Sequence, residues 1–353
     1  MALTSRGKAL VAGGAVVAVL GGGFAALALS GNAPDAVVDA LGIIPGIDDP
    51  QGPCPLTGET LPGDQAPPDR PVLAVKVENT PDAQPLAGLQ GADIVYEEVV
   101  EGGITRFVVL FHCDEANRIG PVRSIRSTDP KILAPFSAHP LLAFSGGSKG
   151  VRTIVDDAGM TAMDEDSATK AFTRDVGRVV PHNLFTSTKP LWAKGTSLAK
   201  GEAAPASAFV YSDEVPAPSK KARSATVVFS GLATAEWRWS KGRWVRYLDD
   251  SPMMLESGGA ITADNVVIQV VKTTESEFQD VTGYPSPEVD LIGKGKAWVL
   301  RDGKLIVGKW ERADESAFTT FVTKSGDTIA LKPGTTFVEL APVGMFDAEI
   351  SFG

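Results

Sequence analysis

Arginine and glutamate are concentrated in two short stretches of the sequence. Glu101 precedes Gly-Gly-Ile-Thr and Arg106, and a Gly-Pro pair precedes Arg123, Ser124 and Arg126. A guanidinium is a planar fork that binds phosphate or carboxylate through two hydrogen bonds, so arginines three positions apart on one turn predict an anion-binding site. The alternative is a pair of surface arginines bonded to neighbouring acids.

A second candidate stretch is rich in glycine and serine and lies between a predicted strand and a predicted helix. Its residues are Ser145, Gly146, Gly147 and Ser148. The two glycines would let backbone N–H groups approach an anion. Residues 146–150 also match the nucleophile-elbow pattern, which makes Ser145 or Ser148 a candidate nucleophile. Because no hydrolase frame surrounds the pattern, we favour an ordinary strand-to-helix turn.

A third group is formed by Arg174, His182 and Asn183. Arg174 is a further candidate anion ligand, and Glu101 or His182 is the candidate general acid or base, with Asn183 orienting the histidine. The alternative is a histidine that only caps a local turn. Histidines and carboxylates do not share metal-ligand spacing, so we expect neither a metal site nor a cofactor.

The overall composition limits the classes of function. The chain has 353 residues, with 43 acids against 33 bases and a net charge of −10. Such a surface repels phosphate backbones, so we expect no nucleic-acid partner. Two cysteines and three histidines exclude a zinc-finger array or an iron–sulfur protein.

The N-terminus predicts export. Residues 9–29 carry no charge and follow Arg6 and Lys8. This pattern predicts a single transmembrane anchor over 9–30, with 1–8 cytoplasmic and the rest extracytoplasmic. The alternative is a cleaved signal peptide. In an oxidising compartment Cys54 and Cys113 favour a disulfide, although two free thiols are the alternative.

The remaining pattern predicts two domains of different character. A proline-rich stalk over 31–69 leads to a mixed α/β (or α+β) domain over 70–205. A linker over 206–222 then leads to a β-rich domain over 223–347, where Lys241-Gly242 and Asp302-Gly303 predict hairpins.

Together these motifs resemble a known family, the YerB-like bacterial envelope lipoproteins, or domain of unknown function 3048. The resemblance covers roughly residues 70–345 and includes Asn265 and the hairpin from Trp298 to Trp310. It also rests on Arg126 and on ADIVYE at 92–97, EGGITRF at 101–107, IGPVRS at 119–124, SGGS at 145–148 and PHN at 181–183. The resemblance implies an exported, membrane-associated protein with two domains and no established activity. A hydrophobic helix here would replace the lipidated cysteine of the family.

Three functions are compatible with these residues. The first is an envelope protein that holds a phosphate- or carboxylate-bearing ligand between its arginines. The second is an envelope hydrolase or transferase that uses Glu101 or His182. The third is a scaffold that binds an envelope protein, with the tryptophans of the β-rich half as a platform; ordinary packing is the alternative for those tryptophans.

Overall fold

The computed structural model describes residues 52–198, 204–280 and 283–353. The predicted cytoplasmic segment, the anchor over 9–30 and the first part of the stalk lie outside these residues. Among the described residues, no helix combines the length and the apolar character needed to cross a bilayer.

The structure is built mainly from β-strands. Those of the first half are β1 (Leu73–Glu78), β2 (Ile94–Val99), β3 (Thr105–Phe111), β4 (Leu141–Ala143), β5 (Thr161–Met163), β6 (Phe172–Arg174) and β7 (Leu184–Thr186). Those of the second half are β8 (Lys220–Lys221), β9 (Ser224–Ser230), β10 (Ala233–Ser240), β11 (Arg243–Leu248), β12 (Ser251–Pro252), β13 (Thr262–Ala263), β14 (Asn265–Gln279), β15 (Pro285–Asp290), β16 (Gly293–Arg301), β17 (Lys304–Arg312), β18 (Thr320–Val322), β19 (Thr336–Gly344) and β20 (Glu349–Phe352).

Helices are short and few in the described part. They are α1 (Thr128–Leu133), α2 (Lys149–Asp157) and α3 (Thr188–Leu198). Strands β4 and β5 pair in parallel on either side of α2, and β4 pairs in parallel with β1. The predicted mixed α/β character of the first half is thus confirmed only in part, because antiparallel pairing of β1, β2 and β3 dominates it.

One large sheet joins the two halves of the sequence. Its order is β18-β17-β16-β14-β19-β2-β3-β1-β4-β5, and the parallel pair of β19 with β2 connects the second half to the first. A smaller sheet has the order β12-β11-β10-β9-β20. The boundary at 206–222 therefore separates the halves in sequence but not in the sheet.

The hairpins predicted in the second half are present. Trp239 pairs with Trp244 across Lys241-Gly242, and Arg301 pairs with Lys304 across Asp302-Gly303. Trp237, Trp244 and Trp310 are buried in the core, which is the packing alternative rather than an exposed platform.

The C-terminal part of the predicted stalk belongs to the folded unit. Cys54 and Leu56 are buried, and the predicted disulfide between Cys54 and Cys113 is confirmed, at a sequence separation of 59. The linker likewise contributes buried Ala208, and Lys220–Lys221 pairs with β17. Residues Gly52–Gly353 form one compact unit that contains these two sheets, the two-stranded sheet of β6 and β7, and the hydrophobic cores, so we expect this unit to fold without the preceding residues.

Two hydrophobic cores lie on opposite faces of the large sheet. The helices α1 and α2 cover one face, against alternate residues such as Val108 and Leu110 of β3. The smaller sheet packs on the other face, where Trp237 meets Phe337 with ring centroids 4.8 Å apart. Because side chains alternate along a strand, neighbouring polar residues of β2 and β3 are directed to opposite faces.

Candidate functional site

Three adjacent strands place charged residues in one row. The register opposes Glu98 of β2 to Arg106 of β3 and Arg106 to Glu78 of β1. All three side chains are buried on the face that α1 and α2 cover. The row therefore places Arg106 between two carboxylates in the sheet.

The carboxylate on the β2 side is already bonded to a different cation. Lys76 Nζ donates to Glu98 at 2.5 Å and to Asp129 at 2.7 Å. Two acids thus share one lysine, and all three side chains are buried. Burial is the main cause that raises the pKa of Glu98 to about 7, with Lys76 opposing it and Asp129 adding to it.

A second carboxylate, Glu101, is held by Arg126. The guanidinium of Arg126 donates to one oxygen of Glu101 through both Nε and Nη2, and the hydroxyl of Ser286 donates to the other oxygen. Arg126 also donates to the backbone carbonyls of Ser124 and Ile125. These bonds engage both carboxylate oxygens and fix the Gly-Pro turn against the sheet.

The third carboxylate, Glu78, faces His182 and Arg123. Its Oε2 lies 2.9 Å from Nδ1 of His182, and its Oε1 lies 3.6 Å from Nε of Arg123. Arg123 Nη1 lies 3.4 Å from the carbonyl oxygen of Pro181. Arg123 is the most accessible of the three arginines, since 21% of its side chain is exposed.

Arg106 is left without an anion of its own. It is only 6% exposed, and its Nε and Nη1 have no hydrogen-bond partner in the described part of the chain. Burial is the main cause that lowers the pKa of Arg106 to about 9, with the charges of Arg126 and Arg123 adding to it and those of Glu101 and Glu78 opposing it. The group is still charged at neutral pH. We call Arg106, Arg123 and Arg126, with Glu78 and Glu101, the arginine site.

The glycine-rich segment runs beside the arginine site. The N–H of Ser145 donates to the carbonyl of Arg123, and the N–H of Ile125 donates to the carbonyl of Gly146. Gly147 has a φ of +147°, and a Cβ there would lie 2.6 Å from Cγ1 of Ile125. Only glycine fits this close approach between the two segments.

The candidate serines do not form a nucleophile elbow. The hydroxyl of Ser148 accepts from the N–H of Val151 and caps α2, with an ordinary extended backbone. The hydroxyl of Ser145 donates to Glu165 at 3.1 Å rather than to a histidine. The expected alternative, a strand-to-helix turn, describes this segment.

Within the third group of Arg174, His182 and Asn183, the arginine and the histidine contact two different acids. Arg174 pairs with Glu165 at 2.8 Å and donates to Oδ1 of Asn183 at 2.9 Å. Glu78 orients the ring of His182. Asn183 therefore holds Arg174, and the expectation that it orients His182 is corrected.

The structure also places together a buried cluster that the sequence reasoning missed. Glu97 of β2 lies opposite Glu339 of β19, on the face that the smaller sheet covers. Arg246 of β11 lies 2.9 Å from Glu97 and 3.1 Å from Glu339, and Trp237 Nε1 donates to Glu339 at 2.7 Å. We call this group the Arg246 cluster. Its members are far apart in sequence, so no local motif marks them.

The carboxyl groups of the Arg246 cluster are buried and have further polar neighbours. Asn79 and Thr105 donate to Glu97 at 2.8 and 2.7 Å. Burial and the neighbouring Glu97 raise the pKa of Glu339 well above its ordinary value, against Arg246. A cavity of about 50 Å³ beside Thr105 and Arg246 has room for water but not for a ligand of ordinary size.

One group of described residues has the composition of a metal site. The sulfurs of Cys54 and Cys113 and a ring nitrogen of His112 lie within 4.8 Å of one another. The sulfurs are bonded to each other, and a disulfide does not supply the thiolates that bind zinc. In this state the group is a disulfide beside a buried histidine.

Comparison with known proteins identifies the family. The chain is 29% identical over 301 residues to the putative lipoprotein YerB of Bacillus subtilis (strain 168), covering 82% of this chain and 86% of that protein. The crystal structure of YerB protein from Bacillus subtilis superimposes with a TM-score of 0.70 and 25% identity, covering 85% of this chain and 99% of that chain.

Two family models match consecutive regions. Residues 56–201 match the N-terminal domain, and residues 225–338 match the C-terminal domain, of the protein of unknown function DUF3048. Both domains are thus present in the order that the resemblance implied, and the chain belongs to the DUF3048 family.

Proposed function

We propose that this chain is an exported, membrane-associated envelope protein that binds a phosphate- or carboxylate-bearing envelope ligand at the arginine site. The uncharged run over 9–29 and the description of YerB as a putative lipoprotein support the location. The arginine site supports the ligand class.

The observation that carries the proposal is the unpartnered guanidinium of Arg106. A buried charge without a partner is costly, and proteins normally pair it or remove it. The nearby carboxylates are bonded to Lys76, Arg126 and His182, and do not pair with it. A bound anion would supply the missing partner.

The neighbouring residues have separate roles in this proposal. Arg123, which is partly exposed, meets the ligand first and delivers it to Arg106. The pair of Arg126 with Glu101 keeps the turn rigid, so the forks are positioned before binding. Ser124 lies between the two arginines, and a Cβ at Gly146 would lie 3.3 Å from its hydroxyl oxygen.

The geometry favours binding over catalysis. Both oxygens of Glu101 are engaged, and Ser145 and Ser148 bond to Glu165 and to a helix N-terminus. A general base must reach the proton that it removes. Neither serine contacts His182 among the described contacts, so a hydrolase would need a rearranged site.

The test is a thermal-shift titration of the Gly52–Gly353 unit with inorganic phosphate, methyl phosphate and succinate. A ligand that binds only the native state raises the melting temperature, so we expect a shift for wild type. The variant Arg106→Met should lose it. Arg238→Met removes a surface arginine that pairs with Glu236 and Asp250. This control variant should keep the shift in melting temperature. An undiminished shift in Arg106→Met would contradict the proposal.

A further inference from the structure

We infer that the ligand of the arginine site is a lipid phosphate, whose headgroup binds the arginines while its hydrocarbon chain lies on an exposed apolar loop. This inference rests on the proposed function. The loop comprises residues 175–183, between β6 and β7, and we call it the valine loop.

The valine loop exposes apolar side chains to an unusual degree. Val176 is 102% exposed, Val179 78% and Val180 67%, and Pro181 is also exposed. Other large exposed apolar residues of the described chain, such as Leu232 and Tyr284, lie on separate turns. Single exposed apolar residues are ordinary, but a cluster of them on one loop indicates a contact with another apolar surface.

Hydrogen bonds and an ion pair anchor the valine loop, whose valines are exposed. The loop closes at its base, where the N–H of Asp175 donates to the carbonyl of Asn183, and Asp175 pairs with Arg118. Arg178 donates to the backbone carbonyls of Ala83, Gln84 and Pro85. The only arginine of the loop is thus directed inward and held, which leaves the valines outward.

The apolar loop is continuous with the arginine site. Arg123 Nη1 lies 3.4 Å from the carbonyl oxygen of Pro181, and the next residue, His182, contacts Glu78 of the site. Hydrocarbon-binding and anion-binding surfaces therefore meet at Pro181. An amphiphile with a phosphate at one end and a hydrocarbon chain at the other can contact both surfaces at once.

The dimensions favour a lipid over a protein partner. A stable protein interface buries about 800 Å² on each side, with aromatic or arginine anchors at its centre. The valine loop offers only a few small aliphatic side chains beside a charged site. One hydrocarbon chain needs no more than such a strip, and the proposed membrane location brings the protein to lipid phosphates.

The experiment compares methyl phosphate with octyl phosphate, below its micelle concentration, by calorimetric titration of the Gly52–Gly353 unit. We expect octyl phosphate to bind at least about tenfold more tightly, because burial of two CH₂ groups already suffices for that factor. The double variant Val179→Ser with Val180→Ser should lose this preference and retain its affinity for methyl phosphate. Leu232→Ser changes a similarly exposed residue on another turn and should keep both.

The other outcomes separate the two proposals. Equal affinity of wild type for both phosphates would overturn the lipid inference and leave the anion site intact. Binding of neither phosphate would also overturn the lipid inference, and failure of succinate as well would overturn the anion site itself. If the double variant weakens both ligands equally, the loop positions Arg123 and does not bind the chain, which also overturns the inference.

Discussion

The two faces of the β2–β3 pair carry buried ionic groups that are bonded in different ways. On one face, Arg106 has no acid of its own, although Arg123 and Arg126 lie near it. On the other face, Glu97 and Glu339 share the single cation Arg246. The strands are the same, and only the alternation of side chains separates the two groups.

The comparison shows that a buried acid and a buried base without a partner of opposite charge are neutralised in different ways. An excess carboxylate can take up a proton, and Glu339 has the raised pKa that this requires. An unpartnered arginine cannot lose its proton near neutral pH, since even a pKa of about 9 leaves Arg106 charged. The acidic face can therefore be closed as core, whereas an external anion is the partner that we propose for Arg106 on the arginine face.

The largest expected effect is that of removing the shared cation. Arg246→Met leaves two buried carboxyl groups without a cation, so we expect unfolding to require about 4 kcal/mol less free energy. Urea denaturation measures this, with Arg238→Met as the surface control. A loss below about 1 kcal/mol would mean that the two faces do not differ as described.

The second prediction concerns Glu98 on the arginine face. Because its pKa is raised to about 7, the folded protein holds a proton that the unfolded chain releases from about pH 4.5 upward. Its stabilisation is complete below that pH and is lost as the pH rises through 7. Glu98→Gln removes this loss, so between pH 4 and 8 the variant should gain on the order of 3 kcal/mol relative to wild type.

Denaturation curves at these two pH values measure the gain. Glu236→Gln, at an acid that is not buried, is the control and should show no comparable gain. A parallel pH dependence of wild type and Glu98→Gln would show that Glu98 is ionised throughout.

The third prediction tests Arg106 directly. Arg106→Met replaces an uncompensated buried charge with an apolar side chain, and should stabilise the protein by about 2 kcal/mol without ligand. Arg301 is a matched control, because it is fully buried but bonded to Asp302 and to three backbone carbonyls. Arg301→Met should destabilise. Equal losses of stability in both variants, measured by differential scanning calorimetry, would contradict the distinction between the unpartnered Arg106 and the bonded Arg301.

The smallest expected effect is that of Glu339→Gln. The amide oxygen can still accept from Trp237 and Arg246, and the substitution removes the repulsion from Glu97. We expect a change within about 1 kcal/mol at neutral pH. A loss as large as that of Arg246→Met would show that Glu339 is ionised and needed as a charge.

Much of the local structure was predictable from the sequence. The strand patterns around residues 72–77, 92–97 and 106–111 correspond to β1, β2 and β3, and the Asp302-Gly303 turn joins β16 to β17. The disulfide followed from export and cysteine number. The motif residues Glu101, Arg106, Arg123 and Arg126 do come together, because the strands and the turn that carry them are adjacent in the sheet.

The tertiary structure decided which of those residues is unpartnered and which surfaces meet. Glu101 is paired, Arg106 is not, and Ser286 reaches the site from the other half of the chain. The joining of β2 with β19 and the Arg246 cluster also depend on pairings far apart in sequence. Periodicity and turn chemistry act over a few residues, so they predict the strands, the turns and the charged motifs. Register and burial arise only when distant strands pack together, and they decided which charges are balanced.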